Sequence, residues 1–338
     1  MLTRRNFLKH TALTASAAAL GLAGSVKRSA AADPVRVALI MTGPITDGGW
    51  AQPAYEGLTA LGETGNFEVA YAENVTQAKI PQVVQGYADD GYDLIIGHGF
   101  EFGSAFIEIA PDYPDQKFFA STFKPEGEVP ENVRYIDLAY FPAAYGAGTL
   151  AALISKNGKA VGFVGGGDNP TQQRMMKCFI AGAEKAVPAI RGLGVVTGDY
   201  ENAARGKEAA ETMVANGADV IWHGANVTGL GAIQGAVSGG ATVIGCYSDQ
   251  TELAPDKMAT SFVMNLAWMV KEVAGSVADG SFEGGVEWKP KVTEMWAPRA
   301  ASMGDYNPGL VSDDNWQKFQ AVWAELGEGS IDVAALVP

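Results

Sequence analysis

Residues 35–50 read VRVALIMTGPITDGGW, an apolar run of aliphatic and β-branched residues followed by a glycine-containing loop and the start of a helix-like segment. A strand that passes through a glycine turn directly into a helix is the basic unit of an α/β fold. Eight further apolar runs predict strands at residues 67–71, 94–97, 118–121, 133–136, 160–164, 194–197, 220–222 and 242–245. Amphipathic segments between these runs predict helices, so the chain is expected to form parallel sheets with helices on both faces.

These units fall into two series, one ending near Ile136 and the other beginning at Ala160, with a helix-like segment at residues 145–155 between them. A chain of 338 residues is long enough for two domains. We therefore expect two Rossmann-like lobes of similar topology. Open α/β sheets bind ligands at the carboxyl ends of their strands, so two facing lobes would share one ligand cleft.

The N-terminus has the composition of an export signal. Arg4 and Arg5 precede an apolar, alanine-rich run at residues 11–24, and the small residues Ala30 to Ala32 follow. The paired arginines are similar to a twin-arginine signal, which predicts a signal peptide over residues 1–32, cleavage near Ala32/Asp33 and export by the twin-arginine translocase. No cysteine follows the run to accept a lipid, so we expect a soluble periplasmic protein.

Charge and cysteine content limit the function further. Residues 1–32 contain five basic residues and no acidic one, which leaves 19 basic against 38 acidic residues in the remainder, a net charge of −19. This balance opposes nucleic-acid binding. Cys178 and Cys246 lie in apolar contexts, which favours buried free thiols, although the sequence leaves their pairing open. Neither has a partner at a metal-ligand spacing, and no cofactor is expected.

The loops that follow the predicted strands combine glycines with aromatic, amide and acidic side chains. Such a lining suits a flat heterocycle, because ring faces stack while amides and carboxylates bind ring nitrogens. Trp50 could equally be a core residue, and Asp168 taken alone is more typical of a helix N-cap. The loop residues that we predict to bind the ligand are Asp47, Trp50, His98, Phe100, Asp168, Asn169, Asn226, Tyr247 and Asp249.

His98 and His223, both at predicted strand ends, raise the alternative of an enzyme. The sequence has no nucleophile elbow, no H-E-x-x-H set and no G-x-G-x-x-G fingerprint beside them. A neutral imidazole hydrogen-bonded to a loop is the more common role for such residues. The chain is therefore predicted not to be an enzyme.

An ordered series of motifs resembles the basic membrane protein family, the purine-nucleoside-receptor group of substrate-binding proteins of ABC importers. The most specific motif is GADVI at residues 217–221, which leads to His223-x-Ala225-x-x-Thr228-Gly229-Leu230-Gly231. Further matches are Gly43-x-Ile45-x-Asp47-x-x-Trp50, Gly97-x-Gly99-Phe100, VGFVGG at residues 161–166, GKEAA at residues 206–210, and Ser248-Asp249-Gln250 with Ala254-Pro255.

The resemblance implies a type I periplasmic binding protein, with two lobes joined by three hinge crossovers, and an ABC permease of the inner membrane as its partner. It places the second crossover near residues 253–257 and a helix of lobe one within residues 260–280. Lobe one would then comprise residues 33–142 and about 257–285. Lobe two would comprise residues 143–256, with part of residues 286–338 and the hinge return.

Three departures from the family pattern bear on the ligand. The family places a ring-stacking Phe at Trp50, but its nucleoside binders carry two Asp and one Lys where this chain has Met41, Tyr247 and Met264. A carboxylate that grips ribose hydroxyls makes charge-assisted bonds, so its loss favours a free purine base. The alternatives are a nucleoside or another small ligand held by Asn226, Asp249 and Asn265, and a repressor-like regulator, which the charge and export signal oppose.

Overall fold

The computed structural model describes residues 33–337. These residues contain twelve strands: β1 (Val35–Met41), β2 (Phe67–Ala72), β3 (Leu94–His98), β4 (Lys117–Ala120), β5 (Val133–Ile136), β6 (Ala160–Gly165), β7 (Arg191–Val196), β8 (Ala218–Gly224), β9 (Thr242–Tyr247), β10 (Met258–Met264), β11 (Glu287–Trp288) and β12 (Trp296–Arg299).

Helices alternate with these strands. They are α1 (Ala51–Glu63), α2 (Ile80–Asp89), α3 (Phe102–Ile109), α4 (Tyr140–Ile154), α5 (Pro170–Ala186), α6 (Ala203–Ala215), α7 (Asn226–Ser238), α8 (Leu266–Ala278), α9 (Val292–Met295), α10 (Asp313–Glu328) and α11 (Val333–Leu336). Within residues 33–337, none of them is long and apolar enough to cross a membrane.

The strands form two six-stranded sheets of matching order. The first is β11-β5-β4-β3-β1-β2, and the second is β12-β10-β9-β8-β6-β7. All pairs are parallel except that of β10 with β12. The expected α/β fold with two Rossmann-like lobes is confirmed. Each lobe has its last strand supplied by a segment that returns from the other lobe.

The chain crosses between the lobes three times, after β5, after β10 and after β11. The crossing segments bond to one another: the Trp296 indole N–H donates to the Leu138 carbonyl at 2.7 Å, and the Asn265 N–H donates to the Met295 carbonyl at 2.8 Å. Asp137 accepts a hydrogen bond from the backbone N–H of Ala139, which adopts a positive φ of 53°. These contacts form the hinge.

The second crossover lies later than expected. Residues 258–264 read MATSFVM and form β10, which pairs in parallel with β9 of the second sheet, so their assignment to lobe one is wrong. This run is almost wholly buried and rich in β-branched and apolar residues, which suits an inner strand. The chain crosses at Asn265, and α8 then packs against α1 of the first lobe.

The core of lobe two requires close helix contact. At Gly148 in α4 an added methyl group would overlap the carbonyl of Phe179 in α5, and at Gly182 it would overlap the carbonyl of Tyr145. Glycine therefore lets these two helix backbones touch. Cys178 on α5 and Cys246 on β9 are both buried free thiols.

Candidate functional site

A cavity of about 720 Å³ lies between the carboxyl ends of the two sheets. Its volume falls within the range of about 300–1,000 Å³ that is usual for small-molecule sites. Aromatic rings come from both lobes, together with amide, hydroxyl and carboxylate groups. The side chains that matter below are Asp47, Trp50, Phe100, Glu101, Ser121, Phe123, Tyr140, Asn169, Gln172, Tyr200, Glu201, Asn226 and Tyr247.

Asp47 shapes the loop between β1 and α1. Its buried carboxylate accepts hydrogen bonds from the backbone N–H groups of Gly49 at 3.0 Å, Ala51 at 2.7 Å and Gln52 at 3.1 Å. These are donors that the first turn of a helix leaves unpaired. Asp47 borders the cavity, but its carboxylate is already bonded to the chain.

Trp50 follows this loop and presents a half-buried indole to the cavity. The ring of His98 stacks on it, with centroids 4.0 Å apart and planes inclined by 15°. The edge of Tyr247 from the other lobe lies 6.0 Å away between ring centroids, and Tyr140 lies 6.5 Å away. Trp50 therefore has a rigid ring behind it and aromatic neighbours across the cleft.

His98 is buried and supports Trp50 from the end of β3. Its Nε2 lies 3.0 Å from the Trp50 carbonyl oxygen and its Nδ1 lies 2.9 Å from the Ser121 hydroxyl. Burial lowers the pKa of His98 to about 4, so the ring is neutral at pH 7. A neutral ring that donates from Nε2 and accepts at Nδ1 satisfies both contacts. His98 does not itself line the cavity.

His223 lies near the end of β8, the matching strand of lobe two, and does not line the cavity. Its Nε2 lies 2.9 Å from the Gln250 side-chain oxygen, and burial lowers its pKa to about 4. Both histidines are thus neutral groups with structural partners. Among residues 33–337 no group of three His, Cys, Asp or Glu side chains could hold a metal ion.

Lobe two contributes a hydrogen-bonded polar wall. Asn169 caps α5 by accepting from the Gln172 N–H at 3.0 Å, and its amide donates to the Tyr200 hydroxyl at 2.9 Å. Burial raises the pKa of Tyr200 and raises that of Tyr247 well above its ordinary value, so both phenols stay protonated.

Asn226 is the first residue of α7 and Tyr247 is the last residue of β9, and they have positive φ angles of 47° and 72°. This left-handed backbone is uncommon outside glycine and is a frequent feature of functional loops. The Asn226 amide donates to Glu201 at 2.9 Å, while its Oδ1 is buried without a hydrogen-bond partner.

The two lobes touch beside the cavity. The Ser248 hydroxyl donates to the Gly48 carbonyl, and a methyl group added to Gly49 would lie 3.1 Å from Asn226 Oδ1. The small residues at the end of the first loop thus let the lobes approach. The structure is that of a closed cleft.

Residues 34–295 match the family described as ABC transporter substrate-binding protein PnrA-like. The chain belongs to this family. Members of the family are substrate-binding components of ABC transporters, with a small-molecule ligand and a permease partner, rather than enzymes.

Relatives and solved structures agree with this membership. The ABC transporter nucleoside-binding protein BmpA of Lactococcus lactis is 28% identical over 264 residues, which cover 71% of this chain and 74% of that protein. The transcriptional activator protein med of Bacillus subtilis is 27% identical, covering 84% and 86% of the two chains. An ABC transporter solute-binding protein from Aeropyrum pernix superimposes with a TM-score of 0.76 at 21% identity, covering 88% of this chain and 92% of the other.

Several predicted site residues lie outside the cavity lining of this family member. Asp168 is exposed and accepts from the Gln173 amide at 2.9 Å. Asp249 is also exposed and accepts from Thr251 and from the Ala301 N–H. Asn265, exposed at the second crossover, donates to the Glu294 carbonyl at 3.4 Å. Asp249 and Asn265 are thus bonded to backbone groups, and Asp168 is bonded to the Gln173 side chain.

The two methionines that replace family polar residues are also placed elsewhere. Met41 and Met264 are buried in the hydrophobic core and do not line the cavity. Tyr247, the third departure, does line the cavity. Phe100, which is 63% exposed, lies at its rim.

The structure adds lining residues that the sequence did not single out. They include Glu101, Phe123, Tyr140, Gln172 and Tyr200, together with residues 42–44 of the loop after β1. Phe123 follows β4 and Tyr200 follows β7, so the rule that places ligands at strand ends could have indicated both. Tyr140 and Gln172 lie inside helices, where no loop signal exists.

Proposed function

We propose that this protein is the periplasmic solute-binding component of an ABC importer and that it binds a purine-type nucleobase between its lobes. The observation that carries the proposal is the Trp50 indole, which lines the cavity while His98 is stacked on it at 4.0 Å. A ring fixed in this way is a stacking surface for a flat heterocycle.

Tyr247 favours a base over a nucleoside. It replaces the acidic residue that nucleoside binders of this family carry. Its ring lies against Trp50 and Trp296, and its phenol is protonated. A neutral phenol cannot offer the charge-assisted bonds that a carboxylate gives to two ribose hydroxyls.

Delivery to the permease follows from lobe closure. The contacts between Gly48 and Ser248 and between Trp50 and Tyr247 exist only while the lobes are together. A ligand that touches both lobes therefore stabilises the closed form, which the permease would recognise. Export through the twin-arginine translocase rests on residues 1–32, which lie outside the described residues. Replacing Arg4 and Arg5 by Lys should leave uncleaved precursor in the cytoplasm, and normal export of that variant would contradict this route.

A purine nucleoside is the second candidate. A cavity of about 720 Å³ has room beyond a single base, and the relative from Lactococcus lactis is named as a nucleoside-binding protein. Glu201 and Asn226, at the polar side of the cavity, could bind hydroxyl groups.

Calorimetric titration of refolded, ligand-free protein distinguishes the candidates. We expect at least one of hypoxanthine, adenine, guanine and xanthine to bind more tightly than its nucleoside. Inosine binding more tightly than all four bases would overturn the nucleobase proposal and support the nucleoside.

A further inference from the structure

Glu101 is an acidic residue in the cavity whose carboxylate has no assigned role. It lies between β3 and α3, immediately after Phe100. Gly99 has a φ of 146°, and an added methyl group there would overlap the Glu101 carboxylate. Glycine at this position therefore gives the carboxylate room to fold back and line the cavity.

Within residues 33–337, the only hydrogen-bond donor to the carboxylate of Glu101 is its own backbone N–H. Among residues 33–337, no other residue donates a hydrogen bond to it and no Lys or Arg forms an ion pair with it. None of the residues that line the cavity is Lys, Arg or His. Burial raises the pKa of Glu101, as expected for a partly desolvated acid without a cation nearby. Hydrogen bonds from a bound ligand would compensate for this partial desolvation.

Glu201, the other glutamate of the cavity, differs in each respect. It is exposed, and it accepts a hydrogen bond from Asn226 at 2.9 Å. Glu101 instead sits among rings: apart from burial, its charge contributes to the raised pKa of Tyr140 and of Tyr200. It is thus an acceptor in the aromatic part of the cavity that is available to a ligand.

A carboxylate has two oxygens that can accept two parallel hydrogen bonds, the geometry it uses with an arginine side chain. Among purines, the matching edge is a ring N–H next to an exocyclic amino group, as in guanine. Hypoxanthine presents the ring N–H without the amino group. Xanthine places a carbonyl oxygen beside it, and adenine places an unprotonated ring nitrogen there, so both would repel the carboxylate.

We propose that Glu101 determines specificity by accepting two hydrogen bonds from adjacent N–H donors of the ligand, so that the cleft selects a guanine-type ring. The inference rests on the proposed purine-type ligand and deepens it. It holds equally for a free base and for a nucleoside, because the sugar does not alter this edge of the ring.

The test compares two pairs that differ only by the amino group, guanine with hypoxanthine and guanosine with inosine. Binding is measured by calorimetry on refolded full-length mature protein, with protein as the titrant for sparingly soluble guanine. The variants are Glu101→Gln and the matched control Glu108→Gln, an exposed glutamate on α3 outside the cavity. Thermal unfolding verifies that each variant is folded.

In the wild type and in Glu108→Gln, we expect the amino-bearing member of at least one pair to bind about 10- to 100-fold more tightly than its partner, as for a hydrogen bond to a charged group. In Glu101→Gln this ratio should fall below about threefold, because the amide places an acceptor opposite one ligand N–H and an NH2 donor opposite the other. A loss of the ratio in Glu108→Gln as well would overturn the assignment to Glu101.

The outcomes separate this inference from the proposed function. Guanosine favoured over inosine, with both nucleosides tighter than the bases, would overturn the nucleobase while supporting Glu101. Equal binding of guanine and hypoxanthine and of guanosine and inosine would overturn the role of Glu101 while leaving a purine binder. No binding of any purine would overturn both.

Discussion

Each lobe carries a histidine near the end of the matching strand of its sheet, and the two lobes use it differently. His98 ends β3 and His223 lies near the end of β8, strands that hold the same place in the two matching sheets. Both rings are buried and have a pKa of about 4. His98 supports the Trp50 ring that faces the cavity, whereas His223 bonds to Gln250 and lies directly under Gly229 of α7.

This difference shows how one scaffold makes two unlike walls. In lobe one the histidine is stacked on an aromatic ring that lines the cavity. In lobe two it bonds to the Gln250 side chain, and neither of these residues lines the cavity. The two histidines are offset by one residue in the matching strands, so their side chains lie on opposite faces of the sheets.

The largest predicted effect is the loss of folding stability in acid, to which the histidines of both lobes contribute. Each histidine has a folded-state pKa of about 4 against an ordinary value of 6.5. As the pH falls below 6.5, both histidines become protonated in the unfolded chain, whereas in the folded chain they stay neutral until about pH 4. Stability is therefore lost over this window, by roughly 2–3 kcal/mol per histidine between pH 7.5 and 4.5.

Urea unfolding at both pH values measures this loss. Glu101 and Asp137, whose pKa values burial raises, act in the opposite direction, so the comparison is made with His98→Gln and His223→Gln. Each variant should lose less stability between the two pH values than the wild type. Equal losses would show that the histidines are not held neutral.

The second effect is a loss of ligand affinity when the Trp50 indole of lobe one is removed. Trp50→Ala should weaken binding of the preferred purine by about 1–3 kcal/mol, if stacking on a free base matches that on nucleic-acid bases. Trp50→Phe, which keeps a ring, should recover most of the affinity. Unchanged calorimetric affinity in Trp50→Ala would show that this indole is only a packing residue.

The smallest effect separates the histidines from each other. His98→Gln removes the ring behind Trp50 and should weaken ligand binding by about 0.5–1.5 kcal/mol, the usual contribution of an aromatic pair. His223→Gln lowers stability but should leave the affinity within about twofold, because His223 does not line the cavity. Equal losses of affinity would remove the distinction between the two lobes.

Local patterns were sufficient for most of the fold. The run at residues 35–41 predicted β1 with its observed bounds, and the other eight predicted strands all exist, although β7 begins at Arg191 rather than near Gly194. The run at residues 258–264 was missed as a strand, because the resemblance placed the crossover before it. Its pairing with β9 is a tertiary contact that places it in lobe two, before the crossover at Asn265.

By itself the sequence determined the α/β repeat, the two lobes, the family and the loops in which ligand residues were sought, because strand and helix periods and glycine turns are local properties. The tertiary structure decided which side chains remain free for a ligand. Asp47 and Asp249 accept hydrogen bonds from backbone N–H groups, and Asn265 donates one to a backbone carbonyl, since backbone polar groups outside the regular ladders pair with side chains. Glu101 and Tyr140, from distant segments of one lobe, meet lobe two's Tyr200 only when the lobes close, and these are the groups left facing the cavity.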